Sequence, residues 1–556
     1  MTPGAELLAQ GRALAPSVGV SRFSAAQGVT SEHAYKRRCV EQGRVMYHAH
    51  LGLNTWPATA SALAEVTSTL AERGHRLDRF GLCLDRGMGL PPGRRALVPK
   101  ETGPRLADDE WVQVATAADT QPHLGDFMIG TEASVENTAR ALAAGITTVG
   151  NLGQYLTFST PGADDAVVTA ATVRALGVMA AARASGAVVH SYLDDGPAMQ
   201  LSCYGTYLAW AALERYVVED LAGARLAHCY GGLVPQPAAR AVVGLALRHL
   251  HGADAVGSMV YGNTVDYTRD ATRNTAVLAA YLHVDVATQL RAPSGHAVNP
   301  VPLTENVRIP SAADVLEVQL LAREVEREAR RSGDLFDWAA LERQAAEAAD
   351  FAVAASRRML ALLAEDGVDT GDVAALLAAL RAVDVVALER RLGLRPPAGV
   401  ASWQPWKAAT VGALTDDVSA AAPERLVGVR VVLACLDVHD LARDVVRAAL
   451  VGLGAEVVLL PTDSVPEAVA RAAVAEDACA VVVSSYNGTA LTAGRRLVAA
   501  LGDLGYEGVV VMGGVLNEDR GGELPVDVRD DLVGLGIRCP ATLGEVPGIV
   551  AAARSR

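Results

Sequence analysis

Between residues 40 and 310, short apolar runs of strand length recur, and the stretches between them are long enough to hold helices. The runs are GRVMYHAHLGL, RLDRFGLCLD, HLGDFMIG, ITTVGNLG, AVVHSYLDD, ARLAHCYGG, AVGSMVYGN and HVDVATQLRAP. Segments such as SVENTARALAAG and PAARAVVGLALRHLHG carry Ala and Leu at helical spacing and end on a glycine suited to a helix C-terminus. Eight strands alternating with helices predict a (β/α)8 TIM-like barrel, although a doubly wound open sheet meets the same count. Polar residues crowd the ends of the runs, among them Asn151, Gln154, His190, Asp194, Asp195, Tyr230, Tyr261 and Arg291. In a barrel, those ends would form the active-site face.

After residue 310 the period changes. Residues 311–393 read as amphipathic helices, with Ser311 as the N-cap of the first. Residues 394–426 are rich in Pro, Gly, Ala and Ser and read as a linker holding Trp403 and Trp406. From 427 to 556, VRVVLACLD, AEVVLLP, ACAVVVSS and GVVVMGG alternate with helical segments, which predicts a small flavodoxin-like (Rossmann-like) domain. Residues 1–39 form an N-terminal segment with no distinct pattern of their own. The expected class is therefore α/β: a barrel with a helical extension and a C-terminal nucleotide-fold domain.

Composition narrows the partners. The chain of 556 residues carries a net charge of −14 and no long basic block, which argues against nucleic acid as a partner. No uncharged apolar run reaches the roughly 18 residues of a membrane span, and no signal peptide is expected at the N-terminus. The seven cysteines, Cys39, Cys83, Cys203, Cys229, Cys435, Cys479 and Cys539, form no C-x-x-C pair. They read as reduced thiols of a cytoplasmic protein.

The chemistry concentrates near the C-terminus. Three strand ends there carry polar or glycine signals: Asp437-Val438-His439-Asp440-Leu441-Ala442, then Ser484-Ser485-Tyr486 after 41 residues, then Gly513-Gly514 after 26 more. This three-part pattern resembles the cobalamin-binding domain of B12-dependent mutases and methionine-synthase-type methyltransferases, with signature D-x-H-x-x-G, S-x-L, G-G. Ala442 stands in place of the last glycine of the first part, and Tyr486 in place of leucine. The resemblance implies that His439 coordinates cobalt from below and that Asp437 orients its imidazole. It also implies that Ser484 hydrogen-bonds the nucleotide tail beside Tyr486, and that Gly513 and Gly514 let the backbone approach that tail.

Residues 128–161 and 290–312 resemble two segments of the large subunit of glutamate mutase (methylaspartate mutase), a family that splits barrel and cobalamin domain between two subunits; the resemblance implies that the two are fused here in one chain. The resemblance implies adenosylcobalamin as cofactor and a radical 1,2-rearrangement of an amino acid or related small carboxylic acid, in an assembly that could be a homodimer. The family's substrate arginines are absent: Met128-Ile129 and His190 stand at two of their positions. Arg291 is aligned with the lysine that faces the adenosyl ribose; its carboxylate partner is missing unless His296 or Glu305 substitutes. His190, Asp194 and Tyr230 complete the candidate catalytic set. Corrinoid-dependent methyl transfer is the alternative activity, and a non-enzymatic corrinoid-binding protein is the third reading.

Overall fold

The computed structural model describes every residue except 1, 159–162, 253–254, 307, 399, 401–411, 413–414, 417, 419–424, 438–440, 462–463, 487, 519, 521–524 and 554–556. Most of the expected linker, with Trp403 and Trp406, lies outside the described residues. The chain divides into two compact units: Met1–Val98 with Gly103–Trp403, and Pro99–Thr102 with Gln404–Arg556.

In the first unit, eight short strands run β1 (His48–Leu51), β2 (Arg79–Leu82), β3 (Gln121–His123), β4 (Thr148–Gly150), β5 (Val188–Tyr192), β6 (Leu226–Cys229), β7 (Met259–Tyr261) and β8 (Ala297–Asn299). They form three small parallel sheets, β1-β2-β3, β4-β5-β6 and β7-β8. Single parallel bridges join Leu124 to Val149, Tyr230 to Val260 and Tyr47 to Val298. A helix lies between each strand and the next, as parallel pairing requires. Local sequence sets the helix limits. Thr55 caps Trp56–Glu72 through its side chain, and Ser134–Ala144 stops at Gly145, whose φ of 92° a side chain would resist. Ser311 caps Ala312–Arg331 as expected, with Asp314 completing a capping box.

The eighth strand is not where the pattern placed it. HVDVATQL belongs to the helix Ala271–Arg291, which starts at Asp270, whose carboxylate accepts from the N–H groups of Thr272 and Arg273. The end of this helix is buried on all sides, with Val284 to Gln289 consecutively buried beside Leu278, Tyr281 and Leu282. The strand is the shorter stretch Ala297–Asn299.

Imidazoles fill much of the space between these strands. His48, His123 and His190 are 0–2 % exposed, and the His123 and His190 ring centroids lie 4.5 Å apart. Glycine faces them: a Cβ on Gly81 would lie 2.6 Å from His50 Nδ1 and 2.8 Å from His48 Nε2. Beside the rings, buried Arg79 pairs with Glu32 at 2.9 Å and donates to Ser258, which also meets His190 Nδ1 at 2.7 Å.

The second unit holds one parallel sheet, ordered β10 (Glu456–Leu459), β9 (Arg430–Cys435), β11 (Ala480–Ser485), β12 (Val509–Gly514). That 2-1-3-4 order is consistent with a flavodoxin-like fold. Both central strands are covered on both faces. Val432, Ala434, Val481 and Val483 join one core with Pro466–Ala475 and Ala490–Asp503; Val431, Leu433, Ala480 and Val482 join another with Leu441–Gly452 and Val546–Ala553. Among the described residues, no helix is long and apolar enough to cross a membrane.

Candidate functional site

Sheet register gathers the three distant signals of the second unit. Ser484 pairs with Cys435 on one side and with Gly513 on the other, so the signals share the carboxyl ends of β9, β11 and β12. In an open α/β sheet, that is where ligands bind. Asp437, 2 % exposed, accepts the backbone N–H of Tyr486 and, at 3.4 Å, the thiol of Cys435. Burial, reinforced by the neighbouring Asp437 carboxylate, pushes that thiol up to about 12, so it stays a donor.

Ser484, 8 % exposed, sets its Oγ beside the Cys435 thiol and has no other hydrogen-bond partner among the described residues. A buried hydroxyl with donor or acceptor capacity to spare is open to a ligand. The two glycines differ. A Cβ on Gly514, at φ 105°, would lie 2.3 Å from Ser485 O, whereas a Cβ on Gly513 would meet nothing within 4 Å. Gly514 is needed by the sheet itself; Gly513 faces open space. His439 lies outside the described residues.

The first unit gathers a different set at the carboxyl ends of its strands. Cys83 after β2 lies 3.4 Å from His50 Nδ1 of β1. Asp126 after β3 accepts from Gln154 Nε2 at 2.9 Å, and Asn151 Nδ2 donates to Asp195 at 2.7 Å. Tyr261 stacks on Tyr192, with ring centroids 5.5 Å apart. Burial raises the Asp126 carboxyl to about 6, against the opposing hydrogen bonds of Gln154 and Cys83. Burial alone raises Glu305 to about 7. The Cys83 thiol is raised first by burial, then by the charges of Asp126 and Glu305.

The four catalytic candidates are not brought together. Arg291 is exposed at the end of its helix, where the chain enters β8, whereas Glu305 follows that strand. His190 lies among the interior imidazoles. Asp194 is saturated by Tyr207 Oη and by the N–H groups of Gly231 and Leu233, and so ties together the loops after β5 and β6. Tyr230 is 2 % exposed, and its hydroxyl lies beside Gly244 of the helix Pro237–His251. His296 precedes β8 and bonds Ser294 at 2.8 Å.

Asn151, Gln154, Asp195 and Tyr261 were legible as polar strand ends. Asp126 was not, because it sits inside an apolar run, HLGDFMIG, and its hydrogen bond comes from Gln154 on the helix Leu152–Thr157 after β4. Among the described residues, no group of three or more His, Cys, Asp or Glu is arranged to hold a metal ion.

A doubly wound sheet with a polar row at its carboxyl ends defines a ligand-binding α/β domain. Residues 429–528 match the family described as the B12 binding domain, which supports a cobalamin-binding protein. No curated protein matches the chain.

Proposed function

We propose that the protein is an adenosylcobalamin-dependent carbon-skeleton mutase acting on an amino acid or related small acid. The observation that carries this reading is the presence, in one chain, of the B12 binding domain match and eight parallel strands with helical crossovers. We read those strands as a (β/α)8 barrel. Support comes from the three bridges, which link the small sheets end to end, Tyr47–Val298 returning the last strand to the first.

The residues of the second unit fit the cofactor. His439 would hold the cobalt, and Asp437, which accepts the Tyr486 N–H, would accept from its imidazole and set the tautomer. Ser484 Oγ would bond the nucleotide tail, beside Tyr486, and Gly513 would leave room for that tail. Bound adenosylcobalamin supplies the radical chemistry of a 1,2-shift.

In the first unit, Glu305, which follows β8, would take the role of the family's ribose-binding carboxylate, while Arg291 is exposed at a helix end before β8. The half-buried groups at the strand ends hold the substrate and limit water around it. Deuterium exchange from labelled substrate into 5′-deoxyadenosine, measured anaerobically on the holoprotein, tests the reading. Absence of exchange together with methyl transfer from methylcobalamin would assign the protein to the methyltransferases instead.

A further inference from the structure

The amino ends of the first unit's strands carry a concentration of positive charge. Before β1 and β2, and along the helix Ala312–Arg331, Arg44, His75, Arg76, Arg323, Arg327 and Arg330 line one cavity of about 320 Å³. Arg323, Arg327 and Arg330 follow one another at four and three residues, which puts them on one face of their helix. Two carboxylates, Asp78 and Glu326, share the lining. In a chain of net charge −14, five guanidiniums against two carboxylates reverse the prevailing sign locally.

Both carboxylates are already engaged. Asp78, 3 % exposed, accepts from Arg44 at 3.0 Å, from Tyr35 Oη and from the Tyr47 N–H. Glu326 accepts from Tyr47 Oη at 2.8 Å and from Arg330 at 2.6 Å, while Arg327 pairs with the exposed Glu324. Arg76 and Arg323 have no carboxylate at hydrogen-bond distance: Arg76 Nε lies 3.9 Å from Asp78, and Arg323 Nη1 lies 3.9 Å from Glu326. The Arg323 side chain is only 11 % exposed. It lies over the Tyr47 ring, 3.5 Å from the centroid and against the hydroxyl, and donates to the Arg76 carbonyl. Among the described residues, the buried Nε atoms of Arg76 and Arg323 make no hydrogen bond. A nearly buried cation without a close countercharge is costly, and an anion in the cavity it lines relieves that cost.

We propose that this cavity binds a phosphate group carrying two or more negative charges, at a site separate from the polar row at the carboxyl ends of the strands. The site stands whether or not the protein is a mutase. A guanidinium offers paired donors matched to phosphate oxygens, and Arg76 and Arg323 bring theirs from two different elements. A monocarboxylate leaves one of these two cations uncompensated; a diphosphate answers both. Burial, then the charges of Arg323 and Arg327, hold the His75 imidazole below its usual range, so it joins the wall as a neutral group. A second cavity of about 490 Å³, walled in part by Leu278, Leu303, Val318 and Leu321, shares His75 and Arg327 with the first. It gives room for an organic body on the phosphate.

Calorimetric titration of the full chain in metal-free, low-salt buffer at pH 7.5 tests the site, with pyrophosphate, ADP and acetate as probes. Pyrophosphate should bind saturably, tighter than acetate by about tenfold or more, and should weaken as chloride rises. Arg76→Gln should lower pyrophosphate affinity about tenfold or more, and Arg76→Lys should restore only part of it. Arg327→Gln, at an exposed side chain whose loss leaves the fold intact, should lower it as well. Arg273→Gln, which removes an exposed charge from the helix Ala271–Arg291, should leave it unchanged. Excess pyrophosphate should also raise the thermal unfolding midpoint of the wild type, and raise that of Arg327→Gln less. ADP binding comparable to pyrophosphate would place the phosphate on an organic body, and exclusion of ADP would make the ligand a free anion; either supports the site. No saturable pyrophosphate binding, binding no tighter than acetate, or equal effects of Arg327→Gln and Arg273→Gln overturns the proposal.

Discussion

Two glycines side by side make the most economical test of the cobalamin reading at the scale of single residues. Gly514 is held at φ 105° with Ser485 O where a Cβ would stand, so Gly514→Ala strains the sheet whether or not a ligand is bound. A cost of about 1–2 kcal/mol for the backbone alone, plus the clash, should lower the unfolding midpoint. Gly513→Ala meets no protein atom and should shift stability by no more than about 0.5 kcal/mol, while cobalamin affinity falls. Equal losses of stability in both variants would mean that the open space at Gly513 is not a ligand's. The axial ligand has a sharper readout: the Co(II) electron paramagnetic resonance spectrum should carry 15N-imidazole splitting that disappears in His439→Ala.

Asp126 gives a pH signature of opposite sign to that of most paired carboxylates. Burial lifts it from an ordinary value of 3.8 to about 6, so the folded chain holds the proton more tightly than the unfolded one. Its contribution is therefore fully present below about pH 4 and is lost as pH rises through about 6. Asp126→Asn removes the need to ionise a buried group. Without substrate, it should be more stable than the wild type by about 1–2 kcal/mol at pH 8, after allowing for water reaching this half-buried carboxyl, with the gain vanishing near pH 4. Denaturant midpoints at the two pH values check both sign and window.

At the scale of elements, legibility follows burial. The sheet of the second unit reads directly from sequence because β9 and β11 are covered on both faces, which leaves unbroken apolar runs such as RVVLAC and AVVVSS. The strands of the first unit are three to five residues long, and their shared interior is partly imidazole, so His48, His123 and His190 interrupt the apolar signal where burial is greatest. The eighth strand was misplaced for that reason: Ala297–Asn299 offers three residues, while the helix before it offers a longer run of valines and leucines. Arg291 moved with it, from a strand end to a helix end. Helix caps, by contrast, are purely local. Ser311 and Asp314 were readable because the capping box needs only four residues. Ser311→Ala should cost about 1 kcal/mol in the denaturant midpoint, with no effect on cobalamin affinity.

At the scale of the whole molecule, the candidate chemistry is divided between two units, and the division is testable. The second unit has its own sheet, covering helices and core clusters, to which Val418 and Leu426 of the linker contribute. The cobalamin candidates Asp437, His439, Ser484, Tyr486, Gly513 and Gly514 all belong to it. The acidic strand ends, with Asp126, Asp195 and Glu305, belong entirely to the first. A chain divided in this way should separate cofactor binding from turnover. A fragment covering residues 404–556 should therefore fold cooperatively and bind hydroxocobalamin, while a fragment covering residues 1–400 should bind no cobalamin. Mixing the two fragments with adenosylcobalamin should restore some deuterium exchange, because no covalent link is needed for the chemistry, only the meeting of two sites. A folded C-terminal fragment that leaves hydroxocobalamin in solution would show that the first unit supplies part of the cofactor site. The row formed by Cys435, Ser484 and Gly513 would then be only one wall of it.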